Sequence, residues 1–244
     1  MSVSWNPWHG CERISEGCAH CYVFRIDAAH EKSGGDLHLN ADFLLPLREG
    51  KTGYKIPAGE TVYTCFSSDF LLEGADAWRE DVWRMMRLRQ DLHFVFFTKR
   101  IHRLSALLPS DWGEGYDNVT IGCTCENQAR VDQRLPIFLE LPIRHRWIVC
   151  EPLLSAIDLR PYLTGNRIEE VTVGGESGEG ARPCDFAWVE EIAQSCREAD
   201  VNFHYHQTGA LLRREGRLYR IPRRQQQSQA KKAGIDYTRK KILL

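Results

Sequence analysis

Cys11, Cys18 and Cys21 carry the strongest chemical signal in the chain, standing in a C-x6-C-x2-C pattern among Gly, Ser, Glu and His. Three thiolates leave one iron of a four-iron four-sulfur (4Fe-4S) cluster without a protein ligand. That open position is what an enzyme needs if a substrate or cofactor is to bind iron directly. Zinc is the competing reading, with His9 or His20 as a fourth ligand. Zinc sites favour paired C-x2-C units, and only one such pair is present here. Spacing and position therefore favour the cluster.

Five of the other cysteines read differently. Cys65, Cys123 and Cys150 lie in or at the end of apolar, strand-like runs, and Cys196 lies on the apolar side of an expected helix. A thiol in such a place behaves as a small buried hydrophobe. Cys125 reads as core or as lining of a strand-end cavity. A disulfide framework is not expected in a chain of 244 residues without a secretion signal. No basic start followed by an apolar core is present at the amino terminus, and no apolar run reaches the roughly 20 residues of a membrane span. The expectation is a cytoplasmic protein without membrane contact.

The elements that would position the cysteines follow from periodicity. Six β-rich runs recur at even spacing: Val62–Ser67, His93–Thr98, Asn118–Cys123, Arg146–Cys150, Glu170–Gly174 and Val201–His206. Their starts lie 24 to 31 residues apart, close to the length of one βα unit. Most are unbroken apolar sequence, as expected of parallel strands covered by helices. Between them, Trp78, Val82, Met85 and Met86 mark one helical face over Asp76–Gln90. Phe186, Val189, Ile192, Ala193 and Cys196 mark another, and Asp76 and Asp185 suit N-caps. A first strand within Ser2–Trp8 and a helix over Ala19–Glu31 complete a β, cysteine loop, α order. Repeated units of this kind predict a (β/α) TIM-type barrel or partial barrel over residues 1–209. An open doubly wound sheet is the alternative. Residues 32–61 read as an insertion or lid, and residues 210–244 as a basic extension.

Parallel barrels gather their chemistry at the carboxyl ends of the strands. Here those ends run into Ser67-Ser68-Asp69, Thr98-Lys99-Arg100, Cys125-Glu126-Asn127, Glu151-Pro152, Gly174-Gly175-Glu176 and His206-Gln207. Asp69, Glu126, Glu151 and Glu176 could bind the amino and hydroxyl groups of a nucleoside-type cofactor, or pair with Lys99, Arg100 or Arg182. Gly174 and Gly175 permit close backbone approach to a ligand. Lys99, Arg100 and Gln207 could fix an anionic or amide-bearing substrate. Net charge is −1, yet from Leu211 onward 11 Lys/Arg face 2 acids, leaving −10 on the preceding 210 residues. Such a tail can dock on nucleic acid or fold back on the acidic body.

A cysteine loop after the first strand, with an aromatic residue after the last cysteine, resembles the radical S-adenosylmethionine (SAM) superfamily. The usual motif there is C-x3-C-x2-C, from which this spacing departs. The chain more closely resembles an uncharacterised phage-associated and bacterial family with the C-x6-C-x2-C motif. The matching stretches include Trp5-Asn6-Pro7-Trp8, Gly17-Cys18-Ala19-His20-Cys21-Tyr22, Cys65-Phe66-Ser67-Ser68-Asp69-Phe70, Cys150-Glu151-Pro152-Leu153-Leu154 and Val173-Gly174-Gly175-Glu176-Ser177-Gly178. The resemblance runs nearly end to end.

It implies a radical SAM-like partial barrel in which Cys11, Cys18 and Cys21 ligate a 4Fe-4S cluster. It further implies S-adenosylmethionine as cofactor, cleaved to a 5′-deoxyadenosyl radical, with a flavodoxin- or ferredoxin-type electron donor. The superfamily's second-strand Gly-Gly-Glu is absent, and Ser67-Ser68-Asp69 stands in its place, with Asp69 as candidate partner of the methionyl amine. The substrate is not implied, although the basic extension admits a nucleic acid or nucleotide. A zinc-containing nucleic-acid-binding module without catalysis is the reading from another class, with Tyr219 and Tyr237 as stacking groups.

Overall fold

The computed structural model describes residues 2–239. Lys240 and Lys241, which end the basic stretch, lie outside the described residues. Seven strands form one sheet: β1 (Ser2–Trp5), β2 (Thr61–Thr64), β3 (His93–Thr98), β4 (Val119–Thr124), β5 (His145–Cys150), β6 (Glu170–Gly174) and β7 (Asn202–Gln207). Their order in the sheet is their order in the chain, with β1 and β7 as its two ends. The ladders β1–β2, β2–β3, β5–β6 and β6–β7 are parallel. A doubly wound sheet reverses its strand order midway. The sequential order here excludes that alternative and suits a (β/α) partial barrel.

Helices follow most strands: α1 (Tyr22–Ala29), α2 (Asp76–Leu88), the short α3 (Leu104–Leu107), α4 (Gln128–Glu140), α5 (Phe186–Glu198) and α6 (Arg223–Lys232). Between β5 and β6 there is only the 3-10 turn Arg160–Tyr162, in a stretch punctuated by Pro152, Pro161 and Gly165. The expected apolar face of α5 is buried residue for residue. In α2 the face is rotated: Arg79 and Trp83 are buried with Val82, Met85 and Met86, and Trp78 is half-buried. Arg79 tolerates burial because Nε donates to the Phe70 carbonyl at 2.8 Å and Nη2 to that of Leu72 at 2.6 Å. Asp185 caps α5 by accepting from the Ala187 N–H at 3.1 Å. Asp76 does not cap α2; it is the first helical residue and pairs instead with Arg79 and Arg103.

The chain divides into two compact units. The first holds residues up to Ile14, Val23–Gly122 and Glu140–His145; the second holds Ser15–Tyr22, Cys123–Leu139 and the chain from Arg146 on. Aromatic packing fills the first, where Phe70 stacks on Phe96 at 4.1 Å and meets Trp83 edge-on. In that unit the 32–61 segment buttresses the start of the chain. Trp8–His9 pairs with His38–Leu39, Trp5 Nε1 donates to the Asp42 carbonyl at 3.1 Å, and Asn40 Nδ2 donates to that of Asn6 at 2.8 Å.

In the second unit the carboxyl-terminal extension is integral to the fold. Phe203 on β7 bridges Tyr237 in both directions, covering the sheet edge. The Tyr237 hydroxyl donates to Asp200 at 2.7 Å, and Gln226 and Ala230 of α6 are buried. No described helix is long and apolar enough to cross a membrane.

Candidate functional site

The cysteine loop begins in the first unit directly after β1. Gly10 takes φ +93°, and a Cβ there would lie 2.6 Å from the Asp36 carbonyl carbon, so only glycine turns the chain into Cys11. The Cys11 N–H donates to the Gly34 carbonyl at 2.8 Å. Strand-end side chains then hold the loop's carbonyls. Ser67 Oγ donates to Trp8 at 3.1 Å, Ser68 Oγ to Gly10 at 2.5 Å, and Arg100 Nη2 to Glu12 at 2.8 Å. The Trp8 indole N–H is buried without a partner among the described residues.

Asp69 organises these donors. Its Oδ1 accepts from Thr98 Oγ1 at 2.7 Å and the Leu71 N–H at 2.9 Å; its Oδ2 accepts from the Lys99 N–H at 2.9 Å and Arg100 Nη1 at 3.2 Å. A carboxylate offers about four acceptor positions, and all are used. Asp69 thus orients Arg100, which grips the loop. Lys99 is half-buried, and its ammonium has no carboxylate partner among the described residues. Cys65, directly after β2, takes φ +66°, a conformation rare for a residue with a Cβ. Burial pushes its thiol well up, with Asp69 and Cys11 adding to the shift.

The second unit holds the remainder of the loop, Ser15–Tyr22, in the same manner. Glu126, fully buried after β4, accepts from Arg134 Nη1 at 2.6 Å and from the Ser15 hydroxyl. Gly17 lies so near that a Cβ there would stand 2.8 Å from Glu126 Oε1. Arg130 makes a two-toothed pair with Glu16, both contacts at 2.9 Å. That hydrogen bonding lowers the Glu16 carboxyl to about 2. Glu176 is buried and takes Arg182 through Nε and its N–H at 2.8 Å, while Arg182 Nη2 donates onward to the Glu16 carbonyl at 2.9 Å.

Glu151 belongs to a separate group in that unit. Its Oε2 meets His206 Nδ1 at 2.8 Å and its Oε1 accepts from Gln207 Nε2 at 2.5 Å. Hydrogen bonding to Glu151 raises the His206 pKa against the opposing effect of burial. Gly174 makes room for the carboxylate: a Cβ there would lie 2.5 Å from Glu151 Cδ. Gly175 is packed against the Thr208 backbone. Both glycines permit close approach, in each case of the chain's own groups.

The expected site residues thus have two fates. Asp69, Glu126 and Glu176 are bound by Arg100, Arg134 and Arg182, and these pairs bear on the cysteine loop. Glu151 and Gln207 bond to each other beside Gly174 and Gly175. Ser15, Arg130 and Arg134 join them without having been singled out in the sequence, and His206 stood there only as a strand end. Only the pattern of Arg130 and Arg134, one helical turn apart after Glu126, could have pointed to them.

The donor chemistry suits a thiolate-bound group. Cys11, Cys18 and Cys21 are half-buried, whereas the other six cysteines are buried. Burial pushes Cys125 and Cys150 well up and Cys184 and Cys196 to about 12. The thiolate is the ligand form, so those buried thiols are poor candidates. The fit is one of donor type: among the described residues no three His, Cys, Asp or Glu side chains are gathered around a metal position. His9, one of the two candidates with His20 for a fourth zinc ligand, is bound to Asp27 at 2.7 Å.

No curated protein matches the chain, and no solved structure does. One family model matches, described as a protein of unknown function, over residues 1–241. The chain therefore belongs to that family, DUF5131.

Proposed function

We propose that this chain is a radical SAM-type enzyme in which Cys11, Cys18 and Cys21 hold a 4Fe-4S cluster. The observation that carries the reading is selective exposure: of nine cysteines only these three are not buried, and they share one loop directly after β1. When bound, the cluster would supply one electron to S-adenosylmethionine, whose cleavage yields methionine and a 5′-deoxyadenosyl radical. A flavodoxin- or ferredoxin-type donor would provide that electron.

The chain's own residues contribute positioning. Arg100, Ser67 and Ser68 fix the carbonyls before and after Cys11, and Ser15 is fixed by Glu126 three residues before Cys18. Holding a ligand loop in place before the ligand arrives lowers the ordering cost of binding. Because Asp69 has its acceptor positions filled, recognition of a methionyl amine by it would require Arg100 or Thr98 to withdraw. Lys99 is better placed to meet an anionic group, since its ammonium is not committed to a carboxylate. Glu151 with His206 offers an acid–base pair for the substrate.

The test is anaerobic reconstitution with iron and sulfide. A brown protein with about four irons is expected, and after reduction it should turn SAM into 5′-deoxyadenosine. Cys18→Ala should remain folded and colourless. A colourless, zinc-loaded wild-type protein that unfolds on replacing Cys18 would refute the proposal.

A further inference from the structure

The charge of the carboxyl-terminal extension is not spread along it. Six arginines, at 213, 214, 217, 220, 223 and 224, stand within twelve residues, all exposed, against the single acid Glu215. They decorate a β-ribbon, Leu211–Arg214 paired antiparallel with Arg217–Arg220, and the start of α6 that follows it. Glu215 and Gly216 have φ of +51° and +74°, the positive pair that a tight hairpin turn requires. The ribbon is anchored by the parallel pairing of Leu212 with Cys184 and by Arg214, whose guanidinium lies 4.8 Å over the Phe186 ring.

Two placements here are electrostatically unfavourable. Arg214 and Arg217 face each other directly across the ribbon, and like charges in that position are destabilising. Arg223 and Arg224 open α6 with no acid in its first turn, at the helix end that favours anions. Elsewhere in this unit the extension's polar groups are paired, as with Tyr237 on Asp200 and Asp236 on the Tyr205 N–H. Arg213, Arg217, Arg220, Arg223 and Arg224 have no carboxylate partner among the described residues. A polyanion bound along the ribbon and the start of α6 offsets this excess of positive charge.

We infer that this ribbon binds duplex DNA through its major groove. Arg213, Leu218 and Arg220 share the face opposite Arg214, which turns to Phe186, and Leu218 and Tyr219 are 51% and 43% exposed. Four residues per strand span about 14 Å. A two-stranded ribbon fits the roughly 12 Å major groove of B-form DNA, whereas the major groove of A-form RNA is too narrow to admit it. The arginines flanking the face reach phosphates on either wall. The inference is independent of the cysteine chemistry.

The experiment is fluorescence anisotropy of the full chain with a 24-base-pair DNA across a salt series. Five phosphate contacts predict a slope of about −4.5 in log affinity against log salt, or about a 500-fold loss between 50 and 200 mM. Arg213→Ala with Arg220→Ala should reduce the slope by about two, and Arg213→Lys with Arg220→Lys should restore it. Lys231→Ala with Lys232→Ala, at the far end of α6, should leave it unchanged. Circular dichroism verifies that each variant is folded. Absence of salt-dependent binding overturns the inference, as does an unchanged slope in the ribbon variant. Tighter binding to double-stranded RNA, to single-stranded DNA or to phosphatidylserine vesicles also overturns it. Self-association of the ribbon variant without DNA binding by the wild type would assign the arginines to guarding a sheet edge.

Discussion

Arg134→Met is the sharpest test of how the second unit holds its part of the cysteine loop. Glu126 is fully buried, and Arg134 meets it at 2.6 Å while also donating to the Thr124 carbonyl at 2.6 Å. Methionine keeps much of the volume and removes the charge. A buried carboxylate is then left with the Ser15 hydroxyl alone, and breaking such a pair costs about 3–5 kcal/mol. With a urea dependence of about 3 kcal/mol/M, the midpoint should fall by about 1–1.7 M. Glu126→Gln removes the other charge and should cost less, because the arginine keeps Thr124. The double variant should be more stable than additivity predicts, by about 1–3 kcal/mol. Because Ser15 hangs from Glu126, amide exchange at Cys18 and Ala19 should quicken in Arg134→Met. A cost below about 1 kcal/mol, or strict additivity, would refute the role assigned to the pair.

Two further outcomes concern protons. Glu16 is held near 2 against an ordinary 4.5 chiefly by Arg130, so its contribution is complete above 4.5 and lost as pH falls through 2. The pair is half-exposed, which limits the effect to less than about 1 kcal/mol, and Arg130→Ala should flatten the stability profile across that window. An unchanged acid profile in that variant would contradict the assignment. His206 runs the opposite way. Its raised value means that the stabilisation from Glu151 is complete below 6.5 and lost as pH rises through the raised midpoint. Its midpoint, read by NMR, should return to the ordinary histidine range in Glu151→Gln. Gly174→Ala should do the same by displacing the carboxylate; a midpoint indifferent to both substitutions would count against the pair.

Strand positions were legible because buried parallel strands announce themselves as apolar runs. His93–Thr98 and Glu170–Gly174 match their expected limits, and the others shift by one to three residues. Asp185 was readable as a cap for the same local reason. Asp76 was not, because Arg79 one turn along the helix and the distant Arg103 compete for its carboxylate. The buttressing role of residues 32–61 was hidden, since its bonds are with the Trp5 indole and the backbone of residues 6–11 and leave no periodic pattern. The integration of the extension was hidden likewise: one buried glutamine, one alanine and one tyrosine bridge carry it, amid eleven basic residues that suggest a solvated tail.

The strand-end acids were expected at the right places, and their surroundings change what they are suited to do. An acid that binds a cofactor's amines must offer open acceptor positions, and Asp69 offers none. Glu126 and Glu176 are each met by an arginine of their own unit. What the three have in common is the next contact outward. Arg100 reaches the Glu12 carbonyl, Glu126 receives Ser15, and Arg182 reaches the Glu16 carbonyl. Each acid thus orders a group that holds the backbone between Cys11 and Cys18. An ion pair used in this way stabilises a conformation more than it stabilises the fold, because desolvation offsets much of its Coulombic gain. A loop required only to cover a strand end would not need three such anchors. Under the proposed function the anchors would limit the freedom of the loop's ligands, since loop ligands are otherwise less constrained than those on helices or strands. The same logic separates Glu151, whose contacts are to His206 and Gln207 and not to the loop, leaving it as the strand-end carboxylate whose neighbours suit proton transfer.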